Sequence, residues 1–128
     1  MLQPQPVRLV RTRKAHNVTP IGARYVGRPT IWWNPFERRK GISHARSVIL
    51  YGAWIAGELN HYILSLCRFG EDEIVALGRL RRQIVRRLSE LRGLNLQCWC
   101  AITSAWCHAN ILLRICNGPI SYLHRLAA

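Results

Sequence analysis

Four residues near the carboxyl end of the chain carry the most chemistry: Cys98, Cys100, Cys107 and His108, in the stretch LNLQCWCAITSAWCHANILLRICN. Three thiols and an imidazole have the ligand types and number of a zinc site. Their spacing, C-x-C and then an adjacent Cys-His pair, differs from the usual C-x-x-C knuckle, so zinc is one reading of three. A second makes Cys107 a thiolate nucleophile, or His108 a general acid or base. In the third the thiols are small apolar side chains filling gaps, which is the preferred reading for Cys67 and Cys116.

The elements around these residues follow from periodicity. Leu94, Leu96, Cys98 and Cys100 alternate with Asn95, Gln97 and Trp99, which predicts a strand over 94–100 with both cysteines on one face. Residues 101–106 read as a loop. Ile111, Leu112, Ile115 and Cys116 recur at helical spacing, and Asn117-Gly118-Pro119 is a stop signal. Cys107 and His108 therefore fall in the first turn of a helix. Unpaired N–H groups and the positive end of the helix dipole gather there, lowering a thiol's pKa and favouring anions.

Upstream, residues 7–10 and 24–28 are strand candidates. Arg11, Arg13 and Lys14 form a basic cluster between them. The loop GRPTIWWNPF follows, its backbone restricted by Pro29 and Pro35. Trp32, Trp33 and Phe36 beside Arg28 can stack on a base while the guanidinium meets a phosphate, or they can plug the end of the core. Residues 37–40, ERRK, read as a surface turn. Ser43 is an N-cap for a helix over 44–67, with an apolar stripe of Val48, Tyr51, Ile55, Leu59, Tyr62 and Leu66. Glu71, Asp72 and Glu73 open a helix over 71–91, striped with Leu77, Leu80, Ile84, Leu88 and Leu91. Arg79, Arg82 and Arg86 share another face of it, a polyanion-binding face or a solvated one. Residues 120–128 read as a short helical turn or frayed end.

Strand–helix–strand order predicts a mostly parallel sheet, and hence a small Rossmann-like three-layer α/β domain with three main helices. The loops after RYVGR and after LQCWC then leave carboxyl ends of strands, where ligands bind in open sheets. Tyr25, Gly27, Arg28, Thr30 and Asn34 would converge there on Cys98, Cys100, Cys107 and His108, forming a pocket for a nucleotide or nucleic-acid component.

The composition sets the bounds. A chain of 128 residues makes one domain. It divides into an arm with the first strand over 1–22, a core over 24–117 and a tail over 118–128. Nineteen basic residues face six acidic ones, a formal net charge of +13, which favours nucleic acid and other polyanions. Five cysteines with no secretory signal before them point to a reducing cytoplasm and to free or metal-bound thiols. Residues 48–67 are apolar, but Glu58, Asn60 and His61 argue against a membrane span.

Two stretches also resemble a known family. YVGRPTIWWNPF is similar to its motif Y-[VI]-G-R-x-[ST]-x-[WF]-G-N-P-F, and CWCAITSAWCHANILL to its motif C-x-C-x(n)-C-H-x-[DN]-[VI]-L. Arg46, Ile49 or Leu50, Tyr51 and Trp54 resemble its helix pattern. The family is domain of unknown function 4326, common in phages and bacteria. If the protein is phage-encoded, the expected cytoplasm is that of the bacterial host; the resemblance assigns no activity. Trp33 departs from the pattern, standing where the family usually has Gly. The expected function is binding, and by extension acting on, a nucleotide or nucleic-acid component. The alternatives are a non-catalytic basic nucleic-acid accessory protein and a small zinc-stabilised interaction module.

Overall fold

The structure, a computed structural model, describes residues 5–12, 18–37, 39–100 and 104–128. Arg13, Lys14, Arg38 and residues 101–103 of the predicted loop lie outside the described residues, as does the start of the arm. Strands β1 (Arg8–Val10), β2 (Ala23–Tyr25) and β3 (Asn95–Cys98) form a parallel sheet of order β1-β3-β2. Arg8 pairs with Leu96 and Val10 with Cys98, while Tyr25 pairs with Gln97. The α/β class and the parallel sheet agree with the sequence expectation. Each strand is shorter than predicted, three or four residues long.

The central strand β3 is covered on both faces. Leu96 and Cys98 are buried among the core residues, and Gln97 is buried on the other side. Its amide is satisfied there: Nε2 donates to the Val18 carbonyl at 3.0 Å and Oε1 accepts from Thr19 Oγ1 at 2.8 Å. Buried polar groups need such partners.

Among the described residues five α-helices, where three main ones were expected, accompany the sheet: α1 (His44–Ile55), α2 (His61–Leu66), α3 (Glu71–Arg87), α4 (His108–Cys116) and α5 (Ile120–Ala127). The helix expected over 44–67 breaks after Ile55. Gly57 takes φ +80, left-handed, and the Arg81 side chain reaches across from α3 to the chain end it creates. Arg81 Nε donates to the Trp54 carbonyl at 2.9 Å and Nη2 to that of Ile55 at 2.9 Å, capping the carbonyl end of α1. Asn60 Oδ1 then accepts from Ile63 N at 2.8 Å and starts α2 afresh. The predicted stripe follows the break: Val48, Tyr51 and Ile55 are buried, whereas Tyr62 and Leu66 are exposed.

The helix expected over 71–91 ends at Arg87 and tightens into a 3₁₀ turn over Leu88–Leu91, which keeps Leu88 and Leu91 in the core. The tail is a full helix, α5, that packs on α3 and buries Leu123. Helix α4 packs on β3 and β1, and α1 packs on α4. No helix among the described residues is long and apolar enough to cross a membrane.

The tryptophan-bearing loop plugs this core. Trp32 and Phe36 are fully buried, with Phe36 edge-on to Trp54 and Phe69 at 5.8 and 5.6 Å. The Tyr51 hydroxyl donates to the Trp32 carbonyl at 2.6 Å, and burial pushes its pKa well above the ordinary phenol value. Asn34 is buried too: Oδ1 accepts from Phe36 N at 2.9 Å and Nδ2 donates to the Ser47 carbonyl at 3.2 Å. That bond ties the loop to α1.

Candidate functional site

β3 ends on Cys98, and α4 begins beside it. Cys107 is the N-cap of α4, in extended conformation, and its Sγ lies 3.2 Å from Cys98 Sγ. Cys100 completes the group, the three sulfurs all lying within 4.8 Å of one another. Cys98 and Cys107 are buried and Cys100 is half-buried, and all five cysteines are free thiols.

A fourth residue, from the first strand, brings a positive charge to this group. Register puts Arg8 of β1 beside β3, and its guanidinium turns to the sulfurs. Nη1 lies 3.7 Å from Cys98 Sγ and 3.0 Å from the Cys100 carbonyl, and Nη2 donates to the Ser104 carbonyl at 3.0 Å. One guanidinium thus gathers the end of β3 and the loop leading to α4.

The thiols share their protons unequally. Hydrogen bonds from Cys100 and Cys107, with that of Arg8, hold Cys98 well below the ordinary thiol value. Cys100 is pushed up by its bonds to Cys107 and Cys98. For Cys107 the bond with Cys100 pulls down, but the bond with Cys98 and burial outweigh it, leaving it raised to about 11. Three thiols in contact take up negative charge as one unit, and its seat is Cys98. The low-pKa thiol expected at Cys107 falls instead at Cys98, which the hydrogen bonds of Cys100 and Cys107 favour first and that of Arg8 after them. Cys67 and Cys116 stand apart from the trio, and burial pushes Cys116 up to about 12.

His108 opens α4 but faces inward. Nε2–H donates to the Val26 carbonyl at 2.8 Å, and the ring stands edge-on to Tyr51 at 5.4 Å. Burial lowers its pKa, so the ring is neutral. Among the described residues, the ligand atoms close enough to share one ion are those of Cys98, Cys100 and Cys107, and His108 lies outside the group.

A pocket of about 400 Å³ lies over the cysteines, walled by Asn34, Glu37, His44, Trp99, Ser104 and His108. It lies beyond the carboxyl end of β3, and Asn34 and Glu37 come from the tryptophan-bearing loop, so the two distant motifs do share a wall. Arg28 is placed differently. Its guanidinium lies 4.1 Å over the Trp33 ring, in a neighbouring hollow of about 410 Å³ with Phe69, Leu77 and Leu80. Glu37 is common to both hollows and accepts from Trp33 Nε1 at 3.3 Å.

Tyr25, Gly27 and Thr30 build the turn between these hollows and do not line the pocket. The Arg11 guanidinium stacks on Tyr25 at 3.9 Å. A side chain on Gly27 would run into the Tyr25 ring, and Thr30 Oγ1 donates to the Gly27 carbonyl at 2.7 Å. Arg79, Arg82 and Arg86 are exposed on α3, away from the pocket wall. Sequence reasoning missed Arg8, Glu37, His44, Trp99 and Ser104. Only Arg8 left a signal, a charge inside an otherwise apolar run.

The chain matches the model of a family described as a domain of unknown function (DUF4326) over residues 9–118. No curated protein and no solved structure matches it.

Proposed function

The chain belongs to the DUF4326 family, and we propose that its pocket is a metal-thiolate centre, of zinc type, that binds and acts on a nucleotide component. The observation that carries the reading is the sulfur trio. A tetrahedral zinc ion with Zn–S bonds of about 2.3 Å needs sulfurs about 3.8 Å apart; here Cys98 and Cys107 Sγ lie 3.2 Å apart and all three sulfurs within 4.8 Å of one another. Three thiolates and a divalent ion sum to one negative charge, which the Arg8 guanidinium offsets. Three protein ligands leave the fourth position to water or a ligand, the pattern of catalytic rather than structural sites. The imidazoles of His44 and His108 are not among the described ligand atoms close enough to the three sulfurs to share one ion.

A bound ion would lower the pKa of its water and polarise a ligand oxygen. The Glu37 carboxylate, in the same wall, would accept the proton released. Trp99, half-exposed, offers a ring on which a base stacks. Metal analysis of the purified full chain, loaded with zinc and desalted, tests the centre. One ion per chain is expected, with loss of it in Cys98→Ser, Cys100→Ser and Cys107→Ser. Stoichiometric zinc in all three variants, or none in the wild type, would sink the reading.

One observation favours a second reading, a nucleic-acid accessory role. Arg81 and Arg87 are engaged, with carbonyls of α1 and with Glu90 respectively. Arg79, Arg82 and Arg86 are exposed and have no ion-pair partner among the described residues. Duplex binding in a salt series tests it, as argued below at the scale of the whole molecule.

A further inference from the structure

A hollow of about 460 Å³ lies between the 40–42 turn, α1 and α2, apart from the thiol pocket. Lys40, Arg46 and Arg68 line it, all exposed, over half-buried Leu50, Ile63 and Cys67. No carboxylate is among its described lining residues. The three cationic side chains form no hydrogen bond or ion pair among the described residues. Arg39, Arg81 and Arg28, by contrast, meet a carboxylate, carbonyls and a ring face. Three unopposed cations around an apolar floor repel one another, and an anion relieves that repulsion.

The backbone at Arg68 adds an independent sign. Arg68 follows α2 with φ 68, the one non-glycine residue with positive φ among those described. Glycine takes that conformation without steric cost, as Gly22, Gly41, Gly57 and Gly93 do here. An arginine held there is strained, and strain retained in a cationic hollow points to use of the side chain. The position is also held from outside. Arg39 Nη2 donates to the Arg68 carbonyl at 2.6 Å while stacking on Phe69 at 3.9 Å.

We propose that this hollow is a binding site for a phosphate monoester carried on an apolar or aromatic body. A doubly charged phosphate matches three cations better than a carboxylate does, and two guanidiniums can each meet it through paired N–H donors. The ester's body lies on Leu50, Ile63 and Cys67. The site is independent of the thiol centre and of whether that centre holds a metal.

The test is calorimetric titration of the full chain at low salt with phenyl phosphate and with inorganic phosphate. Phenyl phosphate is expected to bind about ten-fold more tightly than inorganic phosphate, through the apolar floor. Arg46→Gln and Arg68→Gly are each expected to weaken it about ten-fold. Arg68→Gly also relieves the backbone, so its thermal midpoint should equal or exceed that of the wild type, which separates lost binding from lost folding. Trp99→Leu and Cys98→Ser, in the other pocket, should leave phenyl phosphate binding unchanged. The proposal is overturned by absence of phenyl phosphate binding, by equal affinity for the two phosphates, or by unchanged affinity in both arginine variants.

Discussion

Arg8 shows how much one side chain decides. Its guanidinium lies against Cys98 Sγ and two carbonyls at once, so it sets a cation beside the thiol cluster and ties Cys100 to Ser104. In the sequence it is one arginine of many. Nothing in the pattern of residues 7–10 distinguishes an arginine that faces solvent from one that faces sulfur, because a strand of three residues is too short for alternation to register. Gly57 is the opposite case, a residue whose type alone says what it does. It ends α1 with φ +80, and an added Cβ there would lie 2.9 Å from Arg81 Nη2. Gly57→Ala is therefore expected to destabilise the fold by about 1–2 kcal/mol from backbone strain. Displacement of the Arg81 cap adds to that. Urea unfolding of the variant measures it, and an unchanged midpoint would mean that the turn relaxes around the methyl group.

At the scale of elements, α3 is the hub. Arg81 caps α1, and α3 packs against α1, α2 and α5. Its own start is held by Glu73. Oε1 accepts from Gly70 N at 3.0 Å and Oε2 from Arg39 Nη1 at 2.9 Å. The Gly70 N–H and then the Arg39 guanidinium lower the Glu73 pKa. A carboxyl lowered in the folded state releases its proton more readily there than in the unfolded chain. Its contribution is thus present above the unfolded value and lost as pH falls through the folded one. Thermal midpoints taken from about pH 5 down to about pH 3 should fall in the wild type. They should fall less steeply in Glu73→Gln, and equal slopes would show that the carboxylate has no such role. The acidic first turn of α3 was legible, since Glu71, Asp72 and Glu73 precede a helical stripe. Division of the 44–67 helix was legible only as two weakening glycines. The break needed Arg81, a residue 24 positions beyond Gly57 in the numbering, to satisfy the exposed carbonyls.

At the scale of the whole molecule the dominant fact is charge, +13 over 128 residues. Such a field attracts polyanions wherever they touch, so specific use of α3 must appear in the salt dependence. A short duplex bound through Arg79, Arg82 and Arg86 should show log affinity falling linearly with log salt. Replacing all three by Gln should flatten that slope by up to about 3 units. A slope that does not change would assign the face to solvent.

The sequence by itself determined the class of fold, the family motifs and the two loops that meet. Parallel strands require crossovers, so the carboxyl ends of β2 and β3 had to open on one side. That placed Asn34 near Cys98, Cys100 and His108. Only the tertiary structure decided which cysteine bears the charge, which imidazole nitrogen is spoken for and which pocket Arg28 enters. Those are matters of distances below about 4 Å between groups far apart in the chain, where Coulomb energy and hydrogen bonding change steeply. Periodicity assigns a side chain to a face, and a face is wider than that.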